Sequence, residues 1–128
     1  MPTALELPRN EWEHYIKAAR KRPMKTELTY NERQERERVL GRIHEAAEVL
    51  KKSFGALRVV LFGSLAHEAW FMPDSDVDLA VEGLNGNVYW QAWRTVEEII
   101  GDRPVDLIEI ETAGNSLLGA IKRHGVEL

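Results

Sequence analysis

The chain contains no cysteine, which excludes a disulfide framework, a thiolate nucleophile and any Cys-ligated zinc centre. It has no apolar stretch of the roughly 18–20 residues needed to cross a bilayer. Its first residues carry no apolar core of the kind a secretory signal requires. A soluble, cytoplasmic protein is expected. Positive charge is not in excess either: 17 Lys and Arg face 21 Asp and Glu, for a formal net charge of −4. That mild acidity argues against direct nucleic-acid binding, which usually leaves a basic stripe. Internal repeats, low-complexity tracts and linker-like segments are also missing. A length of 128 residues with 44% apolar side chains suits one ordinary core and leaves little room for a second module.

What is present reads as alternating helices and strands. Asn10 with Glu13 has the pattern of an N-cap, and Trp12, Tyr15, Ile16 and Ala19 then share one helical face until Pro23. Residues 1–28 are thus expected to form an N-terminal helical extension. Thr29 and Glu32 make a capping box ahead of Val39, Leu40, Ile43, Ala46, Ala47 and Leu50, with Gly55 placed to stop that second helix. Arg58 to Phe62 is a continuous apolar strand of the type buried on both faces. Pro73, Asp74 and Ser75 mark a turn, Asp76 to Val81 a second strand, and Gly83 to Asn87 another turn. Tyr89 to Ile100 follows as an amphipathic helix closed by Gly101, Val105 to Ile110 as a third strand, and Ser116 to His124 as a final helix. This order predicts an α/β (α+β) domain with a small mixed sheet and helices packed on it.

The chemistry-bearing residues fall in three places. Asp76 and Asp78 are one residue apart, and a strand's period of two directs both to the same face, where they can share divalent cations. Like charges side by side repel, so the pair is costly without a cation. Gly63-Ser64 closes the run Val59, Val60, Leu61 and Phe62, where exposed backbone amides can cradle phosphates. Asp106 stands between Val105 and Leu107, an acid inserted into a strand pattern that otherwise favours burial. If the third strand pairs beside the second, Asp106 joins Asp76 and Asp78 around two magnesium ions about 3.5–4 Å apart. The run Asp74 to Asp78 also has the spacing of a calcium loop, but Leu79 and Asn85 occupy the positions where that loop needs Gly and Glu.

Val59-Val60-Leu61-Phe62-Gly63-Ser64, then Pro73 to Val81, then Val105-Asp106-Leu107-Ile108 resemble a minimal nucleotidyltransferase of the polymerase-beta-like superfamily. The closing Ile121 to Val126 resembles that family's tail, and the likeness runs from roughly Leu40 to Leu128. The resemblance implies a polymerase-beta palm-like fold, with Asp76, Asp78 and Asp106 holding two Mg2+ ions and serving catalysis, and Gly63 and Ser64 holding the phosphates of ATP. It further implies an antitoxin that transfers AMP to a tyrosine hydroxyl of a HEPN-domain ribonuclease toxin and forms a hetero-oligomer with it. Two alternatives remain: an antitoxin acting by steric contact alone, and a transferase with a small-molecule or RNA acceptor. Two departures stand out. Leu65 to Ser75 makes the spacing one residue longer than the family's usual one, and His67-Glu68-Ala69 stands where the family tends to carry Arg-Gly.

Several residues have two readings. Lys17, Arg20, Lys21, Arg22 and Lys25 either grip an acidic partner or RNA phosphates, or form a solvated helix end that suits the helix dipole. Tyr89, Trp90 and Trp93 read as helix core in preference to a stacking platform, whereas Trp70 and Phe71 suit either a purine or packing under their loop. His67 is a possible phosphate contact; His14, His44 and His124 are assigned no role.

Overall fold

Thr29 Oγ1 accepts a hydrogen bond from the Glu32 amide at 3.1 Å, and Glu32 Oε1 accepts one from the Thr29 amide at 3.1 Å. The capping box expected from sequence therefore forms, and it opens α1 (Tyr30–Phe54) in a computed structural model that describes residues 28–128. The predicted first helix and the basic cluster Lys17 to Lys25 lie outside the described residues. Gly55 ends α1 in the left-handed conformation (φ 74°), the conformation in which a missing Cβ carries no penalty. The buried stripe of α1 is Val39, Ile43, Ala46, Ala47 and Leu50, as its period requires.

The elements that follow are β1 (Arg58–Phe62), β2 (Val77–Glu82), α2 (Tyr89–Ile100), β3 (Val105–Glu109), α3 (Asn115–His124) and β4 (Val126–Glu127). Among the described residues, four strands form one sheet in the order β3-β2-β1-β4. β1 runs antiparallel to β2 and to β4, while β2 and β3 are parallel, so the sheet is mixed as expected. β4 was not expected; its two exposed residues carry no strand signal and gain their identity from pairing with Val60 and Leu61. Small boundary differences go the other way. β2 begins at Val77 instead of Asp76, and Ile110 starts a short 3-10 turn instead of ending β3.

Strand alternation divides the core in two. Val59, Leu61, Leu79, Val81 and Leu107 face α1 and α2, meeting Ile43, Leu50, Val96 and Ile100. Val60, Phe62, Ala80 and Ile108 face α3 and pack on Leu117, Ala120 and Ile121. Burial of a large aliphatic or aromatic side chain contributes about 1.5–3 kcal/mol, and both faces of β1 are lined with such side chains.

The free edge of β3 is closed by side chains. Trp93 Nε1 donates to the Val105 carbonyl at 2.9 Å, and the Tyr89 hydroxyl donates to the Leu107 carbonyl. Two ladder carbonyls that would otherwise template another strand are thereby occupied. Trp90, by contrast, is 71% exposed and stacks on Trp93. It is not the core residue that its helical spacing suggested, because α2 turns its inward face toward Ala92, Val96 and Ile100.

Candidate active site

The sheet register brings two of the three predicted aspartates together. Phe62 of β1 pairs with Asp78 of β2, and Asp78 pairs with Asp106 of β3, so one row crosses three strands at the end where β1 finishes and the other two begin. Asp78 and Asp106 are therefore cross-strand neighbours on the sheet face that α3 covers farther along. Gly63 follows directly from β1 with φ 77°, and Ser64–Ala66 make a 3-10 turn tied by the Ala66 amide to the Gly63 carbonyl at 3.1 Å. A Cβ on Gly63 would stand 2.2 Å from Asp78 Oδ2. The phosphate-type turn and the acidic strand are thus in direct contact, and only a residue without a side chain fits between them.

Asp76 and Asp78 are not equivalent, although the period-two reading treats them alike. The strand starts one residue after Asp76, leaving Asp76 exposed, whereas Asp78 is buried. Burial pushes the Asp78 carboxyl well above its ordinary value, and the neighbouring charges of Asp106 and Asp76 push in the same direction. Among the described residues, no three His, Cys, Asp or Glu side chains converge as a formed metal cluster. Asp76, Asp78 and Asp106 offer carboxylate oxygens, the donor chemistry that hard divalent cations take, and the charges of Asp106 and Asp76 both act on Asp78.

The remaining candidates separate cleanly. The His67 ring Nε2 lies 2.8 Å from the His124 carbonyl, and Trp70 packs edge-on to both His67 and His124. His67 is thus engaged with the C-terminal end of α3, the half-buried Trp70 packs against both rings, and Phe71 is buried. Ser75 is buried too; its hydroxyl accepts from the Met72 amide at 2.8 Å and its amide returns to the Met72 carbonyl at 2.9 Å. That turn fixes the approach to Asp76. Sequence reasoning missed two residues beside it: Arg103, which donates to the Ser75 carbonyl at 3.0 Å, and Arg36, which donates to the Leu65 carbonyl at 3.0 Å. Neither sits in a motif, and only long-range contact reveals them.

Tyr89 reports on the third aspartate. Burial raises its phenol to about 12, with the charges of Asp106 and Glu109 adding to the shift. A group with a raised folded pKa contributes stability below its unfolded value near 10 and loses it as pH climbs toward 12. Absorbance titration of tyrosinate in EDTA should therefore show a late step that disappears in Tyr89→Phe and moves to lower pH in Asp106→Asn. An unmoved late step in Asp106→Asn would place that carboxylate away from the phenol.

With this geometry in hand, comparison with known proteins defines the class. Residues 44–128 match the family model described as Polymerase beta, Nucleotidyltransferase, and the chain belongs to that nucleotidyltransferase family. Solved structures share the fold. One described as a minimal nucleotidyltransferase gives a TM-score of 0.60 at 24% identity, covering 73% of this chain and 95% of that one. The toxin–antitoxin MntA-HepT crystal structure gives 0.53 at 20% identity, covering 69% of each chain. A toxin–antitoxin crystal structure with AMP-PNP gives 0.54 at 21% identity, covering 68% of this chain and 69% of that one. No curated protein matches the sequence. Among the described residues, no helix is long and apolar enough to cross a membrane.

Proposed function

We propose that this chain is an antitoxin nucleotidyltransferase that moves AMP from ATP to a tyrosine hydroxyl of a HEPN-domain toxin bound to it. The observation that carries the reading is the row Phe62, Asp78, Asp106 with Gly63 set against Asp78. It sets the Gly63 turn against two neighbouring aspartates at one end of the sheet. Family membership supports the transfer chemistry. The shared fold with toxin–antitoxin structures, one of them with AMP-PNP, supports the partner class and the nucleotide.

The residues divide the work. Ser64 and the backbone amides at Gly63 and Ser64 hold the terminal phosphates, as N–H groups at a turn do. Asp76, Asp78 and Asp106 are the residues that would hold magnesium, which when bound neutralises charge on the triphosphate. Asp106, less buried than Asp78, accepts the proton of the attacking hydroxyl. The hydroxyl oxygen bonds to the α-phosphorus, the bond from that phosphorus to the bridging oxygen breaks, and pyrophosphate leaves with the electron pair.

The test is incubation of the purified chain with α-labelled ATP, magnesium and the HEPN-domain product of a neighbouring gene. Label on a toxin tyrosine is the expected result. Inhibition of the toxin without label would replace transfer by steric neutralisation. Label appearing only on RNA or a small molecule would change the acceptor class.

A further inference from the structure

We infer that Arg36 and Arg103 are positioning residues that fasten the two halves of the site to one turn of α1; this rests on the proposed transfer reaction. Arg36 Nη2 donates to the carbonyl of Leu65, a fully buried residue in the 3-10 turn that follows Gly63. Its sequence neighbour Glu35 accepts from Arg103 Nη2 at 3.0 Å, and Arg103 Nη1 reaches the Ser75 carbonyl at 3.0 Å. The Ser75 carbonyl belongs to the peptide that leads into Asp76. The Val77 amide, bonded to the Pro104 carbonyl at 3.0 Å, pins the other side of that residue. One arm of α1 therefore holds the phosphate turn and the other holds the entry to the acidic strand.

Neither arginine is placed as stability alone would place it. Arg36 lies on the same helical face as Val39 and Ile43, where an apolar residue would extend the buried stripe. Its Nε is buried with no hydrogen-bond partner among the described residues. Among those residues it also has no carboxylate within ion-pair distance, only a neutral carbonyl. A buried N–H left without an acceptor is costly, and that cost is intelligible beside a turn that would receive phosphates. Arg103 is also deeply placed, its side chain 7% exposed. Its planar fork spans Ser75 and Glu35 at once, a bridge that a single ammonium cannot make. Glu35 also accepts from Arg38, and that hydrogen bond holds its carboxyl below the usual range.

The two arms predict separable defects. In Arg36→Met the KM for ATP should rise on the order of tenfold with kcat little changed, because the phosphate turn loosens and binding falls uniformly. In Arg103→Met kcat should fall on the order of 100-fold with KM little changed, since an Å-scale shift of a reacting group is enough for that. Arg36→Lys should restore most of the loss and Arg103→Lys should not. Lys52→Met, which removes an exposed ion pair with Glu48 on the same helix and outside this network, should behave as wild type. Hydrogen–deuterium exchange without nucleotide gives a second readout: faster exchange over residues 63–66 in Arg36→Met and over residues 72–78 in Arg103→Met. Equal loss of kcat and KM in both variants, or unchanged exchange in both segments, overturns the assignment. If wild type itself transfers no label, the proposed reaction fails, and the exchange measurement still decides whether the two arms position their loops.

Discussion

Asp78→Asn should be more stable than wild type at neutral pH and nearly inactive. Asp78 is buried beside Phe62 and Asp106, and its carboxyl is pushed up first by burial and then by the charges of Asp106 and Asp76. A carboxylate with a raised folded pKa contributes stability below its unfolded value, near 3.9, and loses that contribution as pH rises through the folded value. Above the unfolded value and without a cation, the folded protein must either retain a proton that the unfolded chain releases or carry a buried charge, and both cost stability. Asparagine keeps the shape and removes the charge. The melting temperature of the variant should match wild type below about pH 4 and exceed it at neutral pH, by roughly 3–5 °C for each kcal/mol relieved. Magnesium should raise the wild-type Tm and leave the variant unchanged, since a ligand stabilises only the state that binds it. Transfer should fall by about 100- to 1000-fold, the usual cost of losing one preorganised electrostatic group. Adding Asp76→Asn should abolish transfer with little further change in stability, because Asp76 is exposed. A variant that melts below wild type at pH 7, or that transfers at the wild-type rate, would remove Asp78 from the centre of the site.

The same site shows how far a sequence can be read unaided. Val59 to Phe62 announces a buried strand because both faces are apolar, and both faces are in fact covered. Asp106 could be linked to Asp78 because an acid within an apolar run requires a polar neighbour, and parallel pairing supplies one. The capping box at Thr29 and the stop at Gly55 are local, so they were legible too. The missed features are all set by contacts distant in sequence. Arg103 meets Glu35 across 68 residues and Ser75 across 28. β4 exists only as an addition to β1. The unequal burial of Asp76 and Asp78 depends on where β2 begins, and the Arg103 bond and the Ser75 turn set that point beyond the reach of alternation. His67 was close to the phosphate turn in sequence, yet the C-terminal end of α3 claims its ring.

Gly63→Ala should lower both stability and transfer sharply. The residue has φ 77°, where an L side chain costs about 1–2 kcal/mol. The added Cβ would also sit 2.2 Å from Asp78 Oδ2 and 3.1 Å from Asp78 Cγ. Backbone strain and collision cannot both be relieved without moving either the turn or the carboxylate. A stability loss of about 2–4 kcal/mol is expected, with transfer lowered on the order of 100-fold because Asp78 leaves its place. Gly55→Ala is the matched control: φ is similarly positive at 74°, but nothing lies within 4 Å of its added Cβ. It should cost only the backbone term, about 1–2 kcal/mol, with transfer preserved. Asp78→Ala removes the atoms that the new methyl strikes, so the two changes should couple favourably in a double-mutant cycle, by at least about 0.5 kcal/mol. Additive stabilities in that cycle, or a Gly63→Ala variant no worse than Gly55→Ala, would show that the glycine and the carboxylate do not share one tightly packed contact. The phosphate turn and the acidic strand would then be two independent features of the sheet end.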